Sequence, residues 1–521
     1  MERDANALTN ELELREKLIA EQTTTLKRQV AMIEKLEHQL DLLLRQRYGR
    51  KSDKLVPAGA RFLFDMTPDE EATPEPQEPT IDVKLHARRK KAGGGRMSIP
   101  AHLERKRIEH DVPESERTCS CCGKGFKPIG EEVSEQLNYT PGSCFVNQHV
   151  VKKYAADCDC PHETPVIRAE KPIQPIDKGI AGPGLLSIIA VMKYGDHLPL
   201  YRQAKQIFKR EGVEIPESSM CRWMGDIADL CRPLYELMKT EVLKSFFIHT
   251  DDSPVNVRIE GQGMRRGYFW PYVGDHAHPY IAYDFTTHHG RAGPQTFLGD
   301  YFGYIQCDAA PIYDDLFAPK DKVKPHPIEV GCWAHTRRKF TDAQKTDVEH
   351  AVRAVARIGM LYDVEREAKS LSHEKRRALR QEKSVPVLDA LFAWCKNQFS
   401  LDPSRPTVLP KGPMGQAINY ALGNEQALRR YCEDGRLNID NNAAERALRG
   451  VAIGRKNWMF AGSPRGGRTA SIIFSLLAGG KRHDLDPWKY LRDVLIRLAD
   501  LNPGELETLL PDRWTEKDSD Y

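Results

Sequence analysis

Leu12, Ile19, Leu26, Ile33 and Leu40 recur at intervals of seven near the start of the chain, and Leu36 and Leu43 add a second seam position. A 3.5-residue period held over four heptads predicts a coiled-coil helix over residues 1–48, because only another helix covers so narrow an apolar stripe. The pattern then breaks. Residues 56–83 are rich in Pro and acids, and nine Lys/Arg against one acid follow between Lys84 and Arg107. Residues 49–109 therefore read as a linker, acidic then basic, whose basic arm either reaches phosphates or is simply solvated. Residues 110–165 read as a small strand-rich domain and 166–240 as a helical region. Within the latter, Leu200 to Arg210 is amphipathic, Gly212 to Pro216 forms a turn, and Ser218-Ser219 cap a second helix through Trp223 and Ile227. That is helix-turn-helix grammar, and it would present Arg222 to a DNA groove.

From residue 245 the period changes to two. Phe246–Asp251, Gly267–Val273, Tyr280–Phe285, Tyr304–Asp308 and Ile328–Trp333 read as strands, the first three close enough for a meander. A charged helical insertion over 341–430 follows the last of them, and a late helix runs from Ile439 through Arg449. The expected architecture is a multi-domain α/β protein. Its core, residues 241–465, is an α/β domain with that helical insertion. A coiled coil, a zinc-ribbon-like domain and the helix-turn-helix-like region precede it, and a C-terminal helical region, 466–521, follows.

Composition narrows the classes. Of 521 residues, 77 Lys+Arg face 74 Asp+Glu, a net charge of +3, which argues against a simple polycation coating nucleic acid. The longest apolar run, Gly184 to Met192, is far short of the roughly 20 residues that span a bilayer. The first residues lack a basic and then apolar leader pattern. A cytoplasmic protein without a membrane partner is expected, nucleoid-associated when bound to DNA. Twelve cysteines then point to metal ligands or core thiols rather than disulfides. Cys119, Cys122, Cys158 and Cys160 bracket a strand-rich stretch as two zinc knuckles would, although His162 is an alternative to one member of the tight second pair.

Three acids stand at element ends where a core does not need them. Asp251 ends the first strand, Asp308 ends the fourth, and Glu445 lies on the late helix. If the first and fourth strands are neighbours, both Asp side chains emerge at one edge and a helix across it brings Glu445. Gathered carboxylates repel unless a hard divalent cation sits among them, and two Mg²⁺ (or Mn²⁺) ions so held suit in-line phosphoryl transfer. Asp252 is an alternative to Asp251, since adjacent strand residues face opposite sides. Asp440 is an alternative reading of the late helix start, as its N-cap. After Glu445 come Arg446, Arg449, Arg455, Lys456, Arg465 and Arg468 within 23 residues that hold no acid, with Trp458 and Phe460 interleaved. Cations with aromatics beside an acidic centre suit double-stranded DNA. Gly462 to Thr469 nearly spells a phosphate loop, but Arg468 occupies the Lys position. Cys332-Trp-Ala-His335 reads as a strand-end core cysteine with a polar histidine, or as half of a metal site.

Taken together, His249-Thr-Asp-Asp-Ser-Pro-Val255, Gly331 to Phe340, Ile439-Asp-Asn-Asn-Ala-Ala-Glu-Arg-Ala447 and Gly454-Arg-Lys-Asn-Trp458 closely resemble the transposases of the IS66 family of bacterial insertion sequences. So do Arg47 to Asp53, the cysteine cluster, Gly130 to Gln136, Lys193 to Tyr201 and Trp488 to Val494. The resemblance implies a DDE transposase with a ribonuclease-H-like domain, its acids at Asp251, Asp308 and Glu445. Such an enzyme cleaves at the element ends and transfers the 3′-OH to target DNA. Small accessory proteins encoded beside it are implied partners. This chain has Asp252-Ser253 where the family usually has Glu-Thr, and Cys158-x-Cys160 where it usually has C-x-x-C.

Overall fold

A computed structural model describes residues 99–118, 121–140, 142–157, 166–317, 325–399, 408–501 and 504–516. The expected coiled coil over 1–48 and most of the 49–109 linker lie outside these residues. The described chain falls into two compact units, His335–Glu425 and the described parts of Arg96–Ala334 with Gln426–Tyr521.

The larger unit begins with a small sheet. Strand β1 (Arg105–His110) runs parallel to β3 (Ser143–Ala155), which pairs antiparallel with β2 (Lys127–Thr140) and β4 (Val166–Arg168). The basic end of the expected linker is thus a strand. Arg105 pairs with Glu135 and Arg107 with Glu131, so these cations are neutralised across the sheet. Val112, Val151, Tyr154 and Ala169 form its own buried cluster.

Helix α1 (Pro183–Ala190) leads to α2 (Glu217–Leu243). Between them Leu200–Arg202 is helical and Gln203–Phe208 widens into a π-helical turn. Pro216 occupies the N-cap of α2, so Ser218 and Ser219 sit inside its first turn and do not cap it. The inner face of α2, Met220, Trp223, Ile227, Leu234 and Met238, belongs to the main core. Each such side chain contributes about 1.5–3 kcal/mol by burial, which makes α2 part of the body; Arg222 is on its exposed face.

The main sheet has seven strands, ordered β10-β9-β5-β7-β6-β11, with β8 also on β7. These are β5 (Phe247–Thr250), β6 (Ser253–Ile259), β7 (Gly263–Val273), β8 (Ile281–Thr286), β9 (Tyr304–Gln306), β10 (Ile328–Val330) and β11 (Phe460–Ala461). β5 is buried at all four positions, Phe247 and Ile248 with His249 and Thr250, as a central strand is. It and β6 pair antiparallel with successive stretches of β7, so they form one line broken only at Asp251-Asp252. The expected three-strand meander therefore contains a fourth strand. β6 carries the period-two signal, with Val255 and Val257 buried and Asn256 and Arg258 exposed. β9 runs parallel to β5, and β10 parallel to β9.

The helical unit is entered along α3 (Trp333–Ala343) and contains α4 (Val348–Glu367), α5 (Val385–Asn397) and α6 (Pro413–Gly423). Asp347 caps α4 through the His350 N–H, and Ala354, Ile358, Leu361, Leu388, Leu391, Phe392 and Ile418 are buried. The unit starts and ends slightly before the 341–430 span expected. Returning to the larger unit, α7 (Asn442–Trp458) leads to α8 (Pro464–Arg482), which packs on β8 and α2, and then to α9 (Pro487–Ala499). No helix among the described residues is long and apolar enough to cross a membrane.

Candidate active site

The parallel register of β5 and β9 pairs His249 with Gln306. Asp251 and Asp308 each follow two residues beyond that pair, off the same sheet edge. Glu445 is in the first turn of α7, and one of its carboxylate oxygens lies within 4.8 Å of one from Asp251. Burial first, then the charge of Asp308, and after it those of Asp252 and Glu445, push the Asp251 carboxyl well above the usual range; the Asp252 N–H opposes this. Burying like charges together is unfavourable unless a cation joins them, so the donor set fits a hard divalent ion. Asp308 also accepts the Ala310 N–H at 3.1 Å, which holds its turn closed.

Asp252 faces elsewhere. Its Oδ1 lies 3.2 Å from His289 Nε2, while its N–H donates to Asp251 Oδ1 at 2.8 Å. The two acids thus part in the break between β5 and β6, with Asp251 toward Glu445. Asn441 holds the N-cap position of α7 without a side-chain capping bond, and Asp440 accepts the Asn442 N–H instead.

Sequence reading missed how α7 is held. The Asn441 amide donates to the Thr250 carbonyl at 2.7 Å, and its Oδ1 lies 3.0 Å from His249 Nδ1. Asn438 Nδ2 donates to His249 Nε2 at 2.9 Å. Nδ1–H donating and Nε2 accepting is the neutral tautomer, in keeping with burial pushing His249 down to about 4. The Asn441 N–H also donates to the Cys332 sulfur at 3.2 Å, so Cys332 is a buried core thiol. Gln306 Nε2 donates to the Asn438 carbonyl at 2.7 Å. Residues 438–441 thereby clip the start of α7 to the ends of both acid-bearing strands. The signal available was the Asn441-Asn442 pair itself, which periodicity marks only as a helix start.

The cations after Glu445 divide. Arg446, Arg449, Lys456, Arg465 and Arg468 are exposed. Arg455 donates to Ser253 Oγ at 3.1 Å and to the Pro254 carbonyl, and burial, then the charge of Arg266, push its guanidinium down. It braces β6. Arg465 meets Asp229 of α2 at 2.7 Å, so the acid absent from its own segment is supplied by another helix. Trp458 is half-buried against the core, whereas Met459 and Phe460 beyond it are 69% and 46% exposed. The phosphate-loop look-alike opens α8. A Cβ on Gly467 would fall 2.3 Å from the Phe285 ring, so this glycine serves helix–sheet packing.

Of the cysteine set, Cys122 is described and exposed, as is Cys121; Cys119, Cys158 and Cys160 lie outside the described residues. Around the first pair, Thr118 bridges Gly125, the Phe126 N–H donates to the Arg117 carbonyl at 2.7 Å, and Gly123 has φ 69°. That is a tight knuckle, which a positive-φ glycine permits.

A family model described as "Transposase IS66 family" matches residues 178–469, more than half of the chain. The chain belongs to the IS66 transposase family. A zinc-finger binding domain of IS66 transposase matches residues 116–160, and a model described as "Transposase C of IS166 homeodomain" matches 35–108. IS66 transposases thus supply the whole architecture: an N-terminal module, a zinc finger and a transposase domain. The chain is 32% identical over 504 residues to Uncharacterized protein y4hP of Sinorhizobium fredii, covering 92% of this chain and 88% of that one. To Uncharacterized protein y4qI of the same organism it is 34% identical over 433 residues, covering 81% and 78%.

Proposed function

We propose that this IS66-family transposase cleaves DNA at the ends of its element, leaving a 3′-OH, and then joins that 3′-OH to target DNA. Asp251, Asp308 and Glu445 would hold the divalent cations, Mg²⁺ or Mn²⁺, on a ribonuclease-H-like sheet. The approach of the Asp251 and Glu445 carboxylates to within 4.8 Å carries this reading. The strand order β8-β7-β5-β9-β10, antiparallel through the first three and parallel through the last two, supports it. Bound there, divalent cations supply Lewis acidity to a scissile phosphate and its leaving oxygen. The chain's own part is to gather three carboxylates at one edge, with the Asn441 clip setting the α7 side. Exposed Arg446, Arg449, Lys456 and Arg468 contact phosphates in this reading, with Arg222 on the far helix; Arg455, Arg465 and Trp458 act by bracing. Cys119, Cys122, Cys158 and Cys160 would hold a structural Zn²⁺. The N-terminal heptads would pair protomers so that both ends are handled together, with small accessory proteins as partners.

The test uses the full-length protein and a supercoiled plasmid carrying the element ends. Mg²⁺-dependent cleavage and end joining are expected, with Asp308→Asn at least about a thousandfold slower, roughly 4 kcal/mol in the barrier. Equal rates for the variant would refute the site. Cleavage without joining would leave a nuclease in place of a transposase.

A further inference from the structure

Beside the acids an open groove of about 740 Å³ runs between the β6–β7 hairpin, the loop after β8 and the start of α8. Arg265, Arg266 and Arg468 line it with His288, His289 and Tyr268, and none of its lining residues is acidic. Arg265, Arg266 and Arg468 are all exposed at the surface. The groove is joined to the acidic edge through one side chain. His289 stacks on Tyr268 at 4.3 Å between ring centroids and on Trp270 at 5.6 Å, and its Nε2 lies 3.2 Å from Asp252 Oδ1. Asp252 in turn donates its N–H to Asp251. The first turn of α8, a 19-residue helix, contributes Pro464 to the same wall and adds the positive end of its dipole.

We propose that this groove carries the phosphodiester backbone of the DNA strand leading into the acidic site, with Arg265 and Arg266 on one wall and Arg468 on the other. The argument is charge and continuity. A strand whose scissile phosphate lies among the carboxylates must leave that repulsive spot for a cationic surface. One of the groove's lining residues, His289, contacts Asp252, the chain neighbour of Asp251. The proposal rests on the DNA-transposase reading, and it needs no catalysis to be tested.

The experiment is fluorescence anisotropy of the full, zinc-loaded chain with a labelled 30-base-pair duplex, with neither Mg²⁺ nor chelator added, across a salt series. Each phosphate contact adds about 0.9 to the slope of log affinity against log salt. Arg265→Gln/Arg266→Gln is therefore expected to lower the slope by about 1.8 and to weaken binding roughly ten- to a hundredfold near 0.1 M salt. Arg468→Gln, from the opposite wall, should lose about half of that slope change. The control, Arg366→Gln/Arg377→Gln in the helical unit, should leave the slope unchanged. Unaltered affinity and slope in the double variant, with an unchanged melting temperature, would overturn the groove alone. An equal loss in the control would overturn it as well. A wild-type chain that binds no duplex would overturn the transposase reading and the groove with it.

Discussion

In the helical unit Arg380 is fully buried, and its guanidinium meets Glu365 through two 2.7 Å hydrogen bonds; in the sheet unit Asp251 is half-buried among carboxylates of its own sign. The two regions bury charge in opposite ways. A bidentate pair occupies both carboxylate oxygens and balances the guanidinium charge, so the Arg380 charge is neutralised within the fold. The carboxylate cluster raises the free energy of the charged state, and the fold holds it in place through neutral groups: His249, Asn438 and Asn441. Balanced buried charge belongs to scaffolding, whereas unbalanced buried charge marks a place built for a ligand of the other sign.

The largest stability effect should come from breaking the balanced pair. Glu365→Ala leaves the Arg380 charge buried without its partner, and a loss of about 3–5 kcal/mol is expected in denaturant unfolding. A loss under 1 kcal/mol would show that Arg380 reaches water and would dissolve the contrast. Next comes the clip. Asn441→Ala removes the bonds to the Thr250 carbonyl and His249, and about 1–3 kcal/mol should go with them. Its second effect separates a tie from mere packing. Divalent-ion affinity, read by calorimetry, should fall roughly ten- to a hundredfold because the Glu445 helix is no longer fixed to the Asp251 strand.

The smallest effect has the opposite sign. Asp251→Asn should raise the melting temperature of metal-free protein at neutral pH. The folded chain holds the Asp251 proton more tightly than the ordinary value of 3.8, so the unfolded chain ionises first. The stability this carboxyl contributes is complete below 3.8 and is lost as pH rises through its raised value. The gain from Asn should therefore shrink as pH is lowered toward 3.8. Added Mg²⁺ should stabilise wild type and leave the variant nearly unmoved. A variant less stable than wild type at neutral pH would show the cluster to be already compensated.

Much of this was legible from one dimension. The strand-end positions of Asp251 and Asp308 could be read because β5 and β9 open on apolar pairs, Phe247-Ile248 and Tyr304-Ile305, and stop within two residues of them, and the start of α7 was visible in Asn441-Asn442. β6 was missed although Val255 and Val257 alternate correctly, since it follows β5 after only two residues and the two form one broken line along β7. The end of the basic stretch was read as linker because its balancing acids, Glu131 and Glu135, lie on a different strand. Arg465 was read as free for DNA for the same reason, with Asp229 more than 200 residues away in the chain.

Residue identity and spacing were enough for the types and positions of the chemically committed residues, the switch from helical to strand period, and the family. Those are local properties, carried by spacing and by motifs a few residues long. The tertiary structure alone decided that Asp251 and not Asp252 turns toward Glu445, which cations are spent on bracing, and that Gly467 exists for Phe285. It also decided that His249 and two asparagines set the distance between a strand and a helix almost 200 residues apart. Side-chain direction in a strand follows from pairing register, and charge balance follows from whatever the fold brings near. Both depend on contacts between segments that no local pattern specifies.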